Sequence, residues 1–250
     1  MQSEHLPTPY LSLVIPAYNE ESRITRTLEI VGDYLKTVSF AYEIIVVLNN
    51  CTDSTRQLVE IAMEKDSTIQ LIDLGIIQEQ GNTKGLAVAT GMLAAKGYLR
   101  IFTDADLATP IEEIQKLIAM SQYGHDVVIG SRQVSDSHVD KSQSWYRVFL
   151  GRAGNLLIQI LLLPGIKDTQ CGCKLFTGLT AEEVFRHTNV SGWGFDIETL
   201  VIARSQGYRI AEIGVHWHDV AGSKVKVGAY FSTLKELLSI FWRYKIKKTV

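Results

Sequence analysis

The feature that most restricts the fold is a rhythm in the first half of the chain. Short β-rich runs at Tyr10–Ile15, Glu43–Leu48, Ile69–Leu74, Leu99–Thr103 and Val127–Ile129 alternate with segments near 20–36, 53–65, 83–96 and 110–122, whose apolar residues recur at helical spacing. Strands separated by helices cannot pair as hairpins. They pair in parallel through right-handed crossovers, which predicts an α/β chain with a single Rossmann-like, mostly parallel sheet flanked by helices. Such a sheet takes its ligands at the carboxyl ends of its strands, so residues at strand ends carry the functional argument.

The second half is less regular. It reads as a helix near 145–162, a loop containing Gly and Cys at 164–178, a helix near 196–206 and a strand at 208–217. From Ala229 to Lys248 helical spacing returns, with Phe231, Leu234, Leu238, Phe241 and Trp242 on one face and Lys235, Arg243, Lys245, Lys247 and Lys248 supplying charge. We therefore divide the chain into one domain over 1–228 and a basic amphipathic C-terminal helix over 229–250, suited to a membrane surface.

Composition removes several classes. With 46% apolar residues among 250, the chain buries a large core and is not disordered. Twenty-five basic against 27 acidic side chains leave no bulk field to gather nucleic acid. Three cysteines, two of them in a CxC, form neither a disulfide framework nor a zinc pattern, which fits a reducing cytosol. MQSEHLPTPY lacks the basic and apolar stretches of a signal peptide. The apolar run Ala153–Leu163 contains Asn155 and Gln159 and falls short of the roughly 20 residues that span a bilayer. The expected location is cytoplasmic, peripheral on the inner face of a membrane.

Thr103-Asp104-Ala105-Asp106 closes an apolar run. In extended backbone, residues two apart face the same side, so Asp104 and Asp106 present two carboxylates to one spot, a donor set for a hard divalent ion. A lone DxD is equally a capping turn, and its neighbours must decide. Thr109 and Glu112 form a candidate capping box with Pro110 at the first helical position. Two other strand ends converge there. One is Pro16-Ala17-Tyr18-Asn19-Glu20-Glu21, in which Asn19 is a candidate cap. The other is Asn49-Asn50-Cys51-Thr52-Asp53, in which Asp53 is the candidate cap. Gly81, Lys84 and Gly85 sit at a loop-to-helix junction where backbone and a point charge can meet a phosphate. Arg132 ends a further strand, and Arg147 and Arg152 lie among Trp145, Phe149 and Leu156, a setting for a lipid phosphate.

The stretches LSLVIPAYNEE, GNTKGLAVATGMLAAKG, FTDADLATPIEEI, VVIGSR, IKDTQCGCKLF, GWGFDIETL and VHWHDVAGSKV, in that order, resemble family 2 glycosyltransferases of the GT-A fold. The likeness is to the dolichyl-phosphate β-glucosyltransferase-like branch and its bacterial polyprenyl-phosphate relatives. It implies inverting, Mg²⁺- or Mn²⁺-dependent transfer of a hexose, glucose by this branch, from a nucleotide-sugar to a polyprenyl phosphate. Carried over by position, the likeness makes Asp104 and Asp106 the metal ligands. Donor-binding positions are Pro16, Tyr18, Asn19, Glu20, Asn49, Lys84, Gly85 and Ala105, and acceptor-phosphate positions are Arg132, Arg147 and Arg152. Asp196, within GWGFDIE, is the first choice for the acidic residue facing the acceptor. Of His216 and His218, two apart on a strand, one can face inward, and His218 is a third candidate metal ligand by its chemistry. Ser223 and Lys224 follow in a glycine-containing loop expected to close over the diphosphate.

Departures from the family pattern are visible. Leu48 and Asn49 replace a pair of Asp, one of which reads the base, and Cys173 replaces an aromatic residue. Ala108 stands where users of GDP-mannose often carry Gln, which favours a UDP-sugar over a GDP-sugar. Two other readings stay open, a soluble enzyme acting on a hydroxyl acceptor and a silent nucleotide-sugar-binding protein. The oligomeric state is not encoded in any motif.

Overall fold

A computed structural model describes residues 9–78, 82–140, 145–220 and 228–247, with the side chains of 145–150, 152 and 228–231 excepted. The first half follows the expected rhythm. Strands β1 (Leu11–Ala17), β2 (Tyr42–Leu48), β3 (Ile69–Asp73) and β4 (Leu99–Thr103) alternate with helices α1 (Ile24–Leu35), α2 (Thr55–Lys65) and α3 (Lys84–Ala94). A 3-10 turn at Ile111–Glu113 leads into α4 (Ile114–Gln122), followed by β5 (Val127–Ser131), β6 (His138–Asp140) and α5 (Trp145–Leu161). Then come β7 (Cys173–Thr177), α6 (Gly178–His187), α7 (Phe195–Ser205), β8 (Ile210–Gly214), β9 (His216–His218), α8 (Gly228–Phe241) and a π-helical turn at Trp242–Ile246.

Seven strands form one sheet in the order β3-β2-β1-β4-β7-β5-β8. All neighbours run parallel except β7, which lies antiparallel to both β4 and β5. Both faces are covered. Leu11, Leu13 and Ile15 of β1 pack with Leu28, Val31, Val59 and Leu117 of α1, α2 and α4. Val14 between them joins Val88, Ile158, Leu162, Val184, Leu200, Leu237 and Ile240 on the opposite face, from α3 and α5 to α8. Alternation along one strand thus feeds two cores, the pattern of a sheet sandwiched between helical layers.

Four sequence expectations give way. Cys173–Thr177, read as part of a loop, is a central strand, and Gly178–His187 adds a helix. The segment 208–217 is two strands, since β9 leaves the main sheet to pair with β6. No capping box forms. Pro110 precedes the 3-10 turn without a side-chain cap, and the Thr109 hydroxyl lies 3.8 Å from Cys171 Sγ. Asn19 does not cap α1, which begins after Arg23. Its φ of 51° makes it a left-handed turn residue instead. No helix among the described residues is long and apolar enough to cross a membrane.

Candidate active site

The carboxyl ends of β1, β2 and β4 lie side by side because those strands are neighbours. Asp104 and Asp106 follow β4 in a turn rather than in extended backbone. Leu107 N–H donates to Asp104 O at 3.1 Å, and Leu107 adopts φ 48°. The turn is anchored from α1, whose Thr27 hydroxyl donates to Ala105 O at 2.6 Å. It still brings the carboxylates together. Burial and the neighbouring Asp104 charge raise the Asp106 pKa, and an N–H from Ala108 at 3.0 Å only partly offsets this.

Lys84, the first residue of α3, brings its Nζ to 2.6 Å from Asp104 Oδ1 and 5.4 Å from the Trp193 ring centroid. Burial works against this ammonium, but Asp104, Asp196 and Asp106 outweigh it and hold its pKa above the ordinary lysine value. Gly85 is required beside it, since a Cβ there would meet Phe195 Cβ at 2.6 Å and the Val190 carbonyl oxygen at 2.7 Å. The oxygen donor set of Asp104 and Asp106 suits Mg²⁺ or Mn²⁺. Asp104 is a third exposed and takes the Lys84 ammonium on Oδ1, so a divalent ion there would share or displace that contact.

Asn49 is not presented as a base reader. It is buried, and its Nδ2 donates to Thr83 Oγ1 at 2.7 Å, where Asn50 Nδ2 also donates at 3.0 Å. Both amides brace the residue ahead of Lys84, because a buried amide must spend its donors. Tyr18 is exposed and Pro16 is buried in β1. Asn19 binds across to the Asn50–Thr55 segment, its Oδ1 accepting from Thr52 N–H at 2.8 Å, and Glu20 N–H donates to Thr55 Oγ1 at 2.8 Å. Asp53 is not the N-cap of α2, which is Ser54 without a side-chain cap bond; from one residue further out it accepts from Thr55 N–H at 3.0 Å.

Asp196 lies in the first turn of α7 and is bonded by Lys174, whose side chain is wholly buried. The same Nζ donates to Cys171 O at 2.6 Å and lies 5.2 Å from the Phe102 ring centroid. Burial raises the Asp196 pKa, with Lys174 and Lys84 opposing. Sequence reasoning missed Lys174, although CGCK placed it beside the residues it did consider. It also missed Gly172, where a Cβ would lie 2.0 Å from Asp104 Oδ2. Only glycine leaves the space that this carboxylate occupies. Cys171 and Cys173 are buried thiols whose pKa values burial pushes up.

Arg132 is gripped by Asp168, with Nε to Oδ2 at 2.7 Å and Nη2 to Oδ1 at 2.9 Å. Trp217 lies 5.6 Å away across its face. One edge and one face of the guanidinium are therefore committed within the protein. Arg147 and Arg152 lie on α5, but their side chains fall outside the described residues, as do Gly81, Ser223 and Lys224. His218 is not gathered with the two aspartates. Its backbone N–H donates to Ala108 O at 2.9 Å, while pairing of β9 with β6 sets its Nδ1 3.8 Å from Asp140. Among the described residues no group of three His, Cys, Asp or Glu side chains is assembled for a metal ion.

The family model described as glycosyl transferase family 2 matches residues 12–179. A dolichyl-phosphate beta-glucosyltransferase of Trichomonas vaginalis is 37% identical over 96% of this chain and 76% of its own length. One from Dictyostelium discoideum is 36% identical over 94% and 75%. The chain belongs to glycosyltransferase family 2. It is therefore a glycosyltransferase, and Asp104, Asp106 and Lys84 meet beside the carboxyl ends of its parallel strands, the side on which such sheets take ligands. A crystal structure of glucosyl-3-phosphoglycerate synthase from Mycobacterium tuberculosis, in complex with Mn²⁺, UDP and glucosyl-3-phosphoglycerate, has the same GT-A-type fold. It aligns at TM-score 0.67 and 18% identity, over 94% of this chain and 79% of that one.

Proposed function

We propose that this glycosyltransferase moves glucose from a UDP-sugar to a polyprenyl phosphate, with inversion, at the cytoplasmic face of a membrane. The observation that carries the reading is the meeting of Lys84 with Asp104 at the strand ends, in a chain whose relatives bear the name dolichyl-phosphate beta-glucosyltransferase. Lys84, Gly85 and the start of α3 bind the donor diphosphate, with the helix N-terminus adding its positive end. Pro16, Tyr18, Asn19, Glu20 and Ala105 line the nucleoside side, and Asn49 acts through Thr83. Asp104 and Asp106 would hold Mg²⁺ or Mn²⁺, which when bound supplies positive charge against the departing diphosphate.

An acceptor phosphate needs no general base. Its second pKa is about 6, so its attacking oxygen is already anionic near neutrality. That oxygen bonds to the anomeric carbon from the face opposite the diphosphate, whose oxygen leaves with the bonding pair, and inversion follows. The protein's task is to hold two anions in line. Arg132, with its orientation set by Asp168, and Arg147 and Arg152 on α5 receive the acceptor phosphate. Asp196, engaged by Lys174, shapes the floor instead of taking a proton.

Residues 229–250 seat the chain on the membrane. In the described part of this segment Leu234, Leu238, Trp242 and Ile246 recur every fourth residue and are exposed, beside Lys235, Lys245 and Lys247. A transfer assay with UDP-glucose and GDP-mannose, a short polyprenyl phosphate and the matching polyprenol tests the reading. Metal-dependent product from UDP-glucose and the phosphate alone is expected. Equal transfer to the polyprenol would replace it with a hydroxyl-acceptor enzyme, and no product with any pair would leave a binding protein.

A further inference from the structure

The loop between α6 and α7 touches the donor side of the site directly. Ser191 O accepts from Leu86 N–H at 3.2 Å. The carbonyl oxygens of Val190 and Ser191 press so close on α3 that a Cβ on Gly85 would lie 2.7 and 2.8 Å from them. Trp193 lies 5.4 Å from Lys84 Nζ. Whatever fixes residues 189–194 therefore fixes Lys84 and the first turn of α3.

The far side of that loop is fastened to the C-terminal segment. Glu236 Oε2, on α8, accepts from Gly194 N–H at 2.6 Å. The packing is tight enough that a Cβ on Gly192 would lie 2.1 Å from Glu236 Oε1, and one on Gly194 2.9 Å from Oε2. A second fastening centres on Glu198, whose side chain has no exposed surface. Its Oε2 accepts from the Asn189 and Val190 N–H groups at 2.8 and 2.6 Å. Its Oε1 accepts from Arg243 Nη1 at 2.5 Å and Tyr244 hydroxyl at 3.1 Å. Burial and this acceptor together push the Tyr244 pKa up to about 12, so the hydroxyl keeps its proton. One carboxylate thus spends two donors from the loop and two from the chain end, while Leu237 and Ile240 root α8 in the core.

We infer that residues 236–244 are a working part of the donor side of the site, with Glu236, Glu198, Arg243 and Tyr244 acting as positioning residues for nucleoside diphosphate binding. They clamp residues 189–194 so that Trp193 and the Ser191 carbonyl hold Lys84 and the start of α3 ready for the diphosphate. None of the four contacts Asp104 or Asp106 directly, and their effect passes through the loop. The inference rests on the donor-site reading given above. A charge-assisted hydrogen bond from a backbone N–H to a buried carboxylate is among the stronger restraints on a loop, and a preformed site binds more tightly than one that must be ordered by its ligand.

The test is calorimetric titration of uridine diphosphate and guanosine diphosphate, each with Mn²⁺, into the full chain and its Glu236→Ala, Glu236→Gln, Arg243→Ala and Tyr244→Phe variants. Glu236→Ala and Arg243→Ala are expected to bind the preferred nucleotide roughly tenfold more weakly, and Tyr244→Phe about threefold. Glu236→Gln keeps an acceptor oxygen for Gly194 N–H and is expected to restore wild-type affinity. In transfer assays the loss is expected in the donor KM, with kcat and the acceptor KM unchanged within about twofold. A merely structural role would lower the bound stoichiometry and the melting temperature but leave the Kd of the folded fraction unmoved, which would overturn the inference. Where Glu236→Ala does not fold, an unchanged Kd in Tyr244→Phe and Arg243→Ala overturns it equally. A wild-type chain that binds neither nucleotide overturns the donor-site reading and this inference together. Wild-type binding with unaffected variants overturns the inference alone.

Discussion

Lys84 Nζ and Asp104 Oδ1 lie 2.6 Å apart, joining the start of α3 to the turn after β4. The pair sets a charge order in which Asp106, Asp104, Lys84, Asp196 and Lys174 alternate in sign, apart from the two adjacent aspartates. Asp196 is buried against a wholly buried lysine, whereas Asp104, though paired with Lys84, is a third exposed, so Asp104 with Asp106 is the pair that a cation could reach. Asp104→Ala and Asp106→Ala are each expected to lower kcat by about 100-fold or more, the scale of losing a group that stabilises departing charge. Asp196→Asn, measured per folded molecule, is expected to lose far less. Equal losses in the three variants would restore Asp196 as an obligatory base.

The Lys174–Asp196 pair is a buried ion pair whose loss should be read in stability. Removing one partner of a buried ion pair leaves an uncompensated charge and costs about 3–5 kcal/mol. Lys174→Met and Asp196→Asn should each lower the unfolding free energy on that scale, and the double variant should lose less than the two losses added together. Denaturant unfolding of the four proteins measures this. Strict additivity would mean that the two side chains do not act as a pair.

Gly172 is predicted to be intolerant of a single methyl group. In Gly172→Ala the new Cβ competes with Asp104 Oδ2, and that carboxylate, a third exposed, must swing away. A displacement near 1 Å in a catalytic group costs roughly 100-fold in rate, so activity should fall while the melting temperature stays close to wild type. Gly154→Ala, with nothing within 4 Å of the added carbon, is the control and should leave activity unchanged.

Asp168 gives the fold a pH dependence of known sign. Burial alone would raise its pKa, but the Arg132 guanidinium and its hydrogen bonds hold it below the ordinary aspartate value. The folded state therefore binds this proton less readily than the unfolded chain. The stabilisation is complete above the unfolded value of about 3.9 and drains away as pH falls through the lower native value. The stability advantage of the wild type over Asp168→Asn should be full near neutrality and narrow steadily below about pH 4. A gap that stays constant to the acid limit would mean that the bond, not the charge, is what stabilises.

The exposed face of the C-terminal segment predicts lipid binding. Replacing Leu238, Trp242 and Ile246 together by Ser should release the protein from anionic vesicles in a flotation assay, because apolar burial and basic side chains act jointly at an interface. Glu236, Arg243 and Tyr244 are left intact in that variant, so donor binding should persist. Undiminished flotation would remove this face from the account of acceptor access.

The strands β1 to β5 were legible because each is an apolar run closed by turn residues, and Asp104 and Asp106 were legible because their spacing announces two carboxylates at a strand end. β7 was not. Its run CKLFT carries a lysine in the centre of the sheet, and a buried lysine reads as surface until its partner Asp196 is known. Thr109 and Glu112 matched a capping pattern that Pro110 and the 3-10 turn displaced. Asn49 stood, by the family resemblance, at one of two positions of which one reads the base, yet tertiary packing turned its amide onto Thr83. Arg132 read as an acceptor-phosphate ligand, but its pairing with Asp168, distant in sequence, was not legible. For β7, Asn49 and Arg132 the missing information was a contact between segments far apart along the chain, which local pattern does not carry.

The antiparallel strand inside the sheet, β7, has a consequence for biosynthesis. β4 ends at Thr103, but its neighbour begins only at Cys173 and must insert between two strands already made. Until that stretch leaves the ribosome, β4 and β5 each present an unpaired edge, the kind of surface on which chains self-associate. The halves of this sheet therefore close late and together, and nascent chains stalled before residue 177 should depend on chaperones in a way the finished protein does not.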